Sequence, residues 1–188
     1  MALSKIDVAN MLTGVTPVAN GGTALSSGFL NGGTITEADS FRLNDNENIS
    51  TASFLSDWER DDSSFSKIGT GLTESGGAFS FPSTGIYLIT AHVQYASTGN
   101  DATFAGVMIH VTTDNSSYSE DASAYGIVNN GLSGSTEHSA SMCSTIFDVT
   151  NTTNCKFKIQ AEASHTCILK GSSATNVTYM TCIRLGDT

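Results

Sequence analysis

An all-β antiparallel sandwich is the fold this sequence predicts, on three observations. Turn signals built from Gly, Asn, Ser and Asp recur about every ten residues. Between them apolar residues alternate, most clearly at Tyr87, Ile89, Ala91, Val93 and Tyr95, which share one face of a strand. No segment carries sustained helical periodicity. At 188 residues the chain is long enough for one sandwich domain with a real core and a short appendage.

Residues 1–37 lack any period. Leu12, Val15, Pro17 and Val18 stand singly among Gly, Thr and Asn, so this segment cannot pack a core of its own and is expected to be an extended tail that orders by docking. Residues 38–188 form the head. Ile35, Phe41 and Leu43 suggest one extended segment and residues 49–58 another, with Trp58 packed rather than ligand-binding. Phe79 and Phe81 alternate in a short strand, residues 82–85 carry turn chemistry, and a longer strand follows to Tyr95. Residues 104–111, 139–149, 155–161, 165–169 and 177–185 read as further strands, about eight to ten in all. Residues 96–103, 114–125 and 126–137 read as loops.

The closing strand is apolar on both parities. Tyr179, Ile183 and Leu185 are expected to face the interior, with Met180 and Cys182 on the opposite face. A strand buried on both sides in a domain of this size predicts a contact with another subunit.

Charge excludes some functions. Eight Lys and Arg against eighteen Asp and Glu give a net charge of −10, which repels phosphate backbones and argues against nucleic-acid binding. No apolar run approaches the roughly 20 residues of a membrane span, and the first residues lack the basic and hydrophobic regions of a signal peptide. Synthesis in a cytoplasm without membrane insertion is expected. Cys143, Cys155, Cys167 and Cys182 contain no Cys-x-x-Cys pair; they read as buried free thiols inside strands, with disulfides formed later as the alternative.

No nucleophile elbow, phosphate-binding loop or His-Glu-x-x-His zinc motif is present, so neither catalytic residues nor a cofactor is assigned. His92, His110, His138 and His165 are far apart, and the first two fall on the polar parity of their strands. Asp61 with Asp62, and Glu120 with Asp121, are carboxylate pairs of a kind glycosidases use, but in Ser-rich segments they read as solvated turns. Residues 44–48 offer oxygen ligands yet lack the Gly and Glu of a calcium loop, and no metal is assigned.

Residues 76–95, with the pattern Phe-x-Phe-Pro-x-x-Gly-x-Tyr at 79–87, resemble the core hairpin of the tumour necrosis factor and complement globular-head jelly rolls. That resemblance implies a jelly roll that forms a compact homotrimer and does no chemistry, with the last strand at the heart of the assembly. Tyr87, Tyr179, Met180 and Cys182 are then expected at the subunit contact. The run Thr-Gly-Val-Thr-Pro-Val-Ala-Asn-Gly-Gly-Thr at 13–23 resembles linker repeats of phage tail-fibre proteins. Met-Ala-Leu-Ser-Lys-Ile at the start resembles small virion proteins of marine phages, and the order of Trp58, acidic turn, Phe65 and Gly69 is similar to phage-encoded jelly rolls. Together they imply a virion protein whose tail docks on other virion proteins through Leu12, Val15, Pro17 and Val18. Its head would be a fibre tip or spike that attaches to a host surface glycan or protein. A capsid decoration protein that stabilises the shell is the alternative, and a polysaccharide-cleaving spike a further one. Tyr118 and Tyr125, in the polar segments most open to a receptor, are the candidate contacts, since an exposed tyrosine offers an apolar ring and a hydroxyl together.

Overall fold

The computed structural model describes residues 35–129 and 136–188, of which Ile35–Thr188 belong to one compact unit. Leu12, Val15, Pro17, Val18 and part of the expected 126–137 loop lie outside the described residues. The described strands, in chain order, are β1 (Ala38–Leu43), β2 (Glu47–Ile49), β3 (Ser53–Phe54), β4 (Trp58–Arg60), β5 (Lys67–Ile68), β6 (Thr73–Ser75) and β7 (Ala78–Ser80). The longer ones follow: β8 (Gly85–Ala96), β9 (Ala102–Thr112), β10 (Ser119–Val128), β11 (His138–Val149), β12 (Lys156–Ala163), the short β13 (Cys167–Leu169), and β14 (Tyr179–Gly186).

Two antiparallel sheets result. Sheet I runs β11-β8-β14-β1, with β4 and β5 beyond β1 and β13-β2 beside the end of β8; sheet II runs β10-β9-β12-β7-β6, with β3 on β12. In both, strands adjacent in space are mostly distant in sequence: the last strand, β14, lies between β1 and β8, and β12 lies between β7 and β9. This interleaving is the double Greek-key order of a jelly roll.

Alternation drives the pairing of faces. Along β8 every second residue from Tyr87 to Tyr95 is buried, and along β12 the buried set is Phe157, Ile159, Ala161 and Ala163. Within sheet II Phe79 stacks on its cross-strand partner Phe157 at 4.9 Å, and between the sheets Phe81 packs on Tyr87 at 4.7 Å while Phe41 and Trp58 meet Phe79 edge-on. Complete burial of such a side chain stabilises the fold by roughly 1.5–3 kcal/mol. The Trp58 indole donates to the Leu55 carbonyl at 3.1 Å, the packed role expected of it. Tyr95 spans the interior and donates from its hydroxyl to the Gly106 carbonyl of sheet II at 2.7 Å. All four cysteines are buried and unpaired, and burial pushes the Cys143 thiol up to about 11.

Residues 119–125 are not loop. They belong to β10, paired along its length with β9. Its inward side chains are Ala122 and Ala124, too small to give an apolar alternation, which is why the segment reads as a turn-rich stretch.

Nor is Asp61 a solvated turn residue. Arg42, on β1, is 1% exposed and donates to Glu59 at 3.3 Å, to Asp61 at 3.2 Å and to Asp62 at 2.6 Å. Asp61 is itself buried and also accepts from Asn176 Nδ2 and from the backbone N–H groups of Ser63 and Ser64. Beside it, the buried Asp39 takes a two-nitrogen fork from Arg60 and the N–H of Leu72.

Arg42→Ala leaves Asp61 buried without its cation, and urea unfolding should register a loss of about 3–5 kcal/mol. Asp62→Ala, removing an exposed partner, should cost less than about 1 kcal/mol. The Asn176 hydrogen bond, then, against burial, the two N–H groups and the Arg42 charge hold Asp61 below the ordinary carboxylate range. A depressed folded value means that the stabilisation is complete above the unfolded value of about 3.9 and is lost as pH falls below it. Unfolding measured against pH should therefore show a steeper acid loss in the native chain than in Asp61→Asn.

Candidate subunit interface and recognition face

The outward faces of the two sheets differ in chemistry. On sheet I, the registers align Ile68 of β5, Ala38 of β1, Ile183 of β14, Leu88 of β8 and Ile146 of β11 in one transverse row. Five apolar residues thus cross five strands without a polar interruption, a span of about 19 Å at the usual strand spacing. Ile146 is 64% exposed and Met142, four residues before it on the same strand, 59%. At the β1 end, Ile35, Phe65 and Ile68 rim an open cavity of about 370 Å³ whose floor includes Thr181 and Ile183. Further along the middle strands β14 and β8, Tyr179 stacks on His92 at 5.0 Å, and the His92 ring nitrogen Nδ1 meets the Val177 carbonyl at 2.9 Å.

The closing strand has the parity opposite to that expected. Met180 and Cys182 lie inside the sandwich at 0% and 2% exposure, and Tyr87 is likewise buried, its hydroxyl donating to the Ser83 carbonyl. Those three side chains are committed to the subunit's own core. Tyr179, with Thr181 and Ile183, faces outward instead. The cause is the pairing with β8: Met180 sits opposite Ala91 and Cys182 opposite Ile89, both inward residues, and a one-residue difference of register exchanges the faces. Leu185 escapes this alternation through a bulge between Arg184 and Gly186. Leu88, Ile146 and Ile68 were not singled out by the sequence.

Sheet II faces outward with polar and aromatic groups. One transverse row holds Tyr125, Gly106 and Glu162, and another Glu120, His110 and Lys158. Tyr118 and Tyr125 are seven positions apart, which on a regular strand would place them on opposite faces. The bulge between Glu120 and Ala122 corrects the parity and brings both to the outer face. They occupy separate clusters there. Lys158 Nζ lies 4.7 Å from the Tyr118 ring centroid and 5.2 Å from that of Phe54, which in turn meets His110 edge-on. Tyr125, half exposed, meets Phe104 edge-on at 5.8 Å, and with Glu162 the pair lines an open cavity of about 360 Å³. Tyr125 lies across Gly106, where any Cβ would strike its ring.

The remaining carboxylate pair, Glu120 and Asp121, is exposed, and Asp121 accepts from the Thr145 hydroxyl across the gap between the sheets. In the 44–48 segment, Asn46 accepts from the Gly171 N–H at 3.0 Å, a structural use of that side-chain oxygen. Burial first, then the nearby Glu162 charge, raises the Tyr125 phenol above its ordinary value. Glu162→Gln removes the second cause, so a ring-resonance titration by NMR should place the Tyr125 midpoint lower in that variant than in the native chain.

No protein-family model matches this chain, and no curated protein matches it. Solved structures do. The structure of Eiger TNF from S. frugiperda is similar with a TM-score of 0.59 at 13% identity, over 80% of this chain and 93% of that one. The crystal structure of murine APRIL at pH 8.5 gives 0.56 at 13% identity, over 79% and 98%. At such identity the likeness concerns the backbone arrangement: the chain has the jelly-roll fold of these TNF-type structures.

Proposed function

We propose that the chain is a non-enzymatic structural protein of a phage particle. Residues 38–188 form the head of a homotrimeric fibre tip or spike that attaches to the host surface. Residues 1–37 dock it on other virion proteins through Leu12, Val15, Pro17 and Val18. The observation that carries the assembly is the apolar row Ile68–Ala38–Ile183–Leu88–Ile146 with its exposed neighbours Met142 and Phe65. A contiguous apolar face of this kind is a protein contact, and a second copy of the chain is its occupant. The count of three follows from the resemblance of residues 76–95 to trimeric heads.

Covering sheet I in this way leaves sheet II outermost, and its aromatic clusters around Tyr118 and Tyr125 become the surface presented to a host. The non-enzymatic reading is supported by the use made of Asp61 and Asp62, whose carboxylates are both bound to Arg42.

Sedimentation of the native chain should give about three times 19.6 kDa, and Ile146→Glu should give a soluble monomer with an unchanged melt, because that side chain touches solvent in the single subunit. A native chain that stays monomeric at every concentration overturns the assembly. Antibody labelling of intact particles tests the virion placement: label at tail or spike positions supports attachment, and an even distribution over the shell replaces it with capsid decoration.

A further inference from the structure

Among the surface features, the cavity formed by Phe104, Tyr125 and Glu162 is the one whose groups converge on a definable ligand. Tyr125 and Phe104 stand at 88° to each other, so one ring can serve as a platform and the other as a wall. Glu162 stands in the same transverse row as Tyr125, separated from it only by Gly106. Because Gly106 has no side chain, nothing rises between the ring and the carboxylate. Next to Phe104, Thr103 donates to the Ser164 hydroxyl at 3.1 Å, and that hydroxyl accepts from the Phe104 N–H. All of these groups stand on or beside the paired strands β9, β10 and β12, so the site is largely formed before a ligand arrives.

We propose that Phe104, Tyr125 and Glu162 form a binding site for a neutral saccharide ring. This deepens the attachment reading above and rests on it for the source of the sugar. A pyranose has apolar C–H faces and polar edges. The aromatic platform accepts one C–H face, and the Glu162 carboxylate accepts hydrogen bonds from hydroxyls at the ring edge, bonds strengthened by its charge. The same carboxylate on a chain of net charge −10 repels acidic sugars. The site therefore selects neutral hexoses or N-acetylhexosamines over sialic acid. The cavity of about 360 Å³ is roomy enough for one ring and open enough to let a longer glycan pass through.

The test uses the full native chain and saturation-transfer NMR with D-glucose, D-galactose, N-acetyl-D-glucosamine and N-acetylneuraminic acid as probes. Transfer to the ring C–H protons of at least one neutral sugar, and none to N-acetylneuraminic acid, is expected. Tyr125→Ala, Phe104→Ala and Glu162→Gln should each weaken binding about ten-fold, with the thermal melt of each variant measured alongside to confirm that it is folded. No transfer from any neutral sugar overturns the site, as does transfer that survives both Tyr125→Ala and Glu162→Gln. Transfer to tetramethylammonium instead of sugars also overturns it, identifying an ammonium box. If sugar binding is lost in Tyr125→Ala while particle adsorption to host cells is unchanged, the site stands and the attachment reading fails.

Discussion

The buried guanidinium of Arg42 is the interaction on which the shape of sheet I depends. It sits on the outward parity of β1, where a large cation would normally reach water, yet it is almost fully enclosed. Its partners Glu59, Asp61 and Asp62 all come from β4 and the residues just after it, so satisfying one charge fixes the course of the chain over β1. Asp39 and Arg60 form a second ion pair on the inward parity of the same strands, and the Leu72 N–H on Asp39 ties down the far end of the same excursion. The excursion between these two anchors carries Phe65 and Ile68. Without the anchors it would be an ordinary polar loop of Ser, Asp and Gly, and the apolar row would end at β1.

A charge network inside the subunit thus defines an apolar surface outside it. That surface has no counterpart on sheet II, whose outward rows carry Glu120, His110, Lys158, Gln160 and Glu162. The two sheets share an interior of similar chemistry, so the difference lies wholly in the outward parity of each strand. One sheet is built to be covered and the other to stay wet. In the assembly proposed above, such asymmetry would set a direction: whatever covers sheet I turns sheet II toward the surroundings.

Much of this was legible in the sequence, and the rest was not for identifiable reasons. The 76–95 hairpin, the buried Cys143 and Cys155 and the packing of Trp58 followed from alternation and turn chemistry, because one apolar face against one polar face leaves a single solution. The closing strand defeated the same logic. Tyr179, Ile183 and Leu185 compete with Met180 and Cys182 for the interior, both sets are apolar, and only the register with β8 decides between them. Ambiguity of parity is itself informative, since it arises where a strand has two faces to bury. β10 failed for the opposite reason: its inward residues are Ala122 and Ala124, opposite the half-polar edge where Cys143 bonds weakly to the Ala122 carbonyl, and small side chains leave no apolar rhythm. Asp61 was misread because nothing local connects it to Arg42, nineteen positions earlier.

The correction to β10 alters the physical character of recognition. Tyr118 stands one residue before β10, but Tyr125 as a loop residue would have to lose backbone freedom on binding, roughly 1–2 kcal/mol for each residue that becomes fixed. On a paired strand that entropy is already spent during folding. The bulge at Asp121 then does what a loop would otherwise be needed for, turning two tyrosines of odd spacing to one face while keeping the ladder to β9 intact on either side. A rigid sheet with a single bulge holds Tyr125 against Gly106 in one orientation, and a side chain held that way binds weakly hydrated, geometrically similar ligands with less loss than a mobile one. The same rigidity would limit the proposed recognition to ligands that fit the rows as they stand, with specificity set by which side chain stands beside each aromatic ring: Glu162 next to Tyr125, Lys158 next to Tyr118.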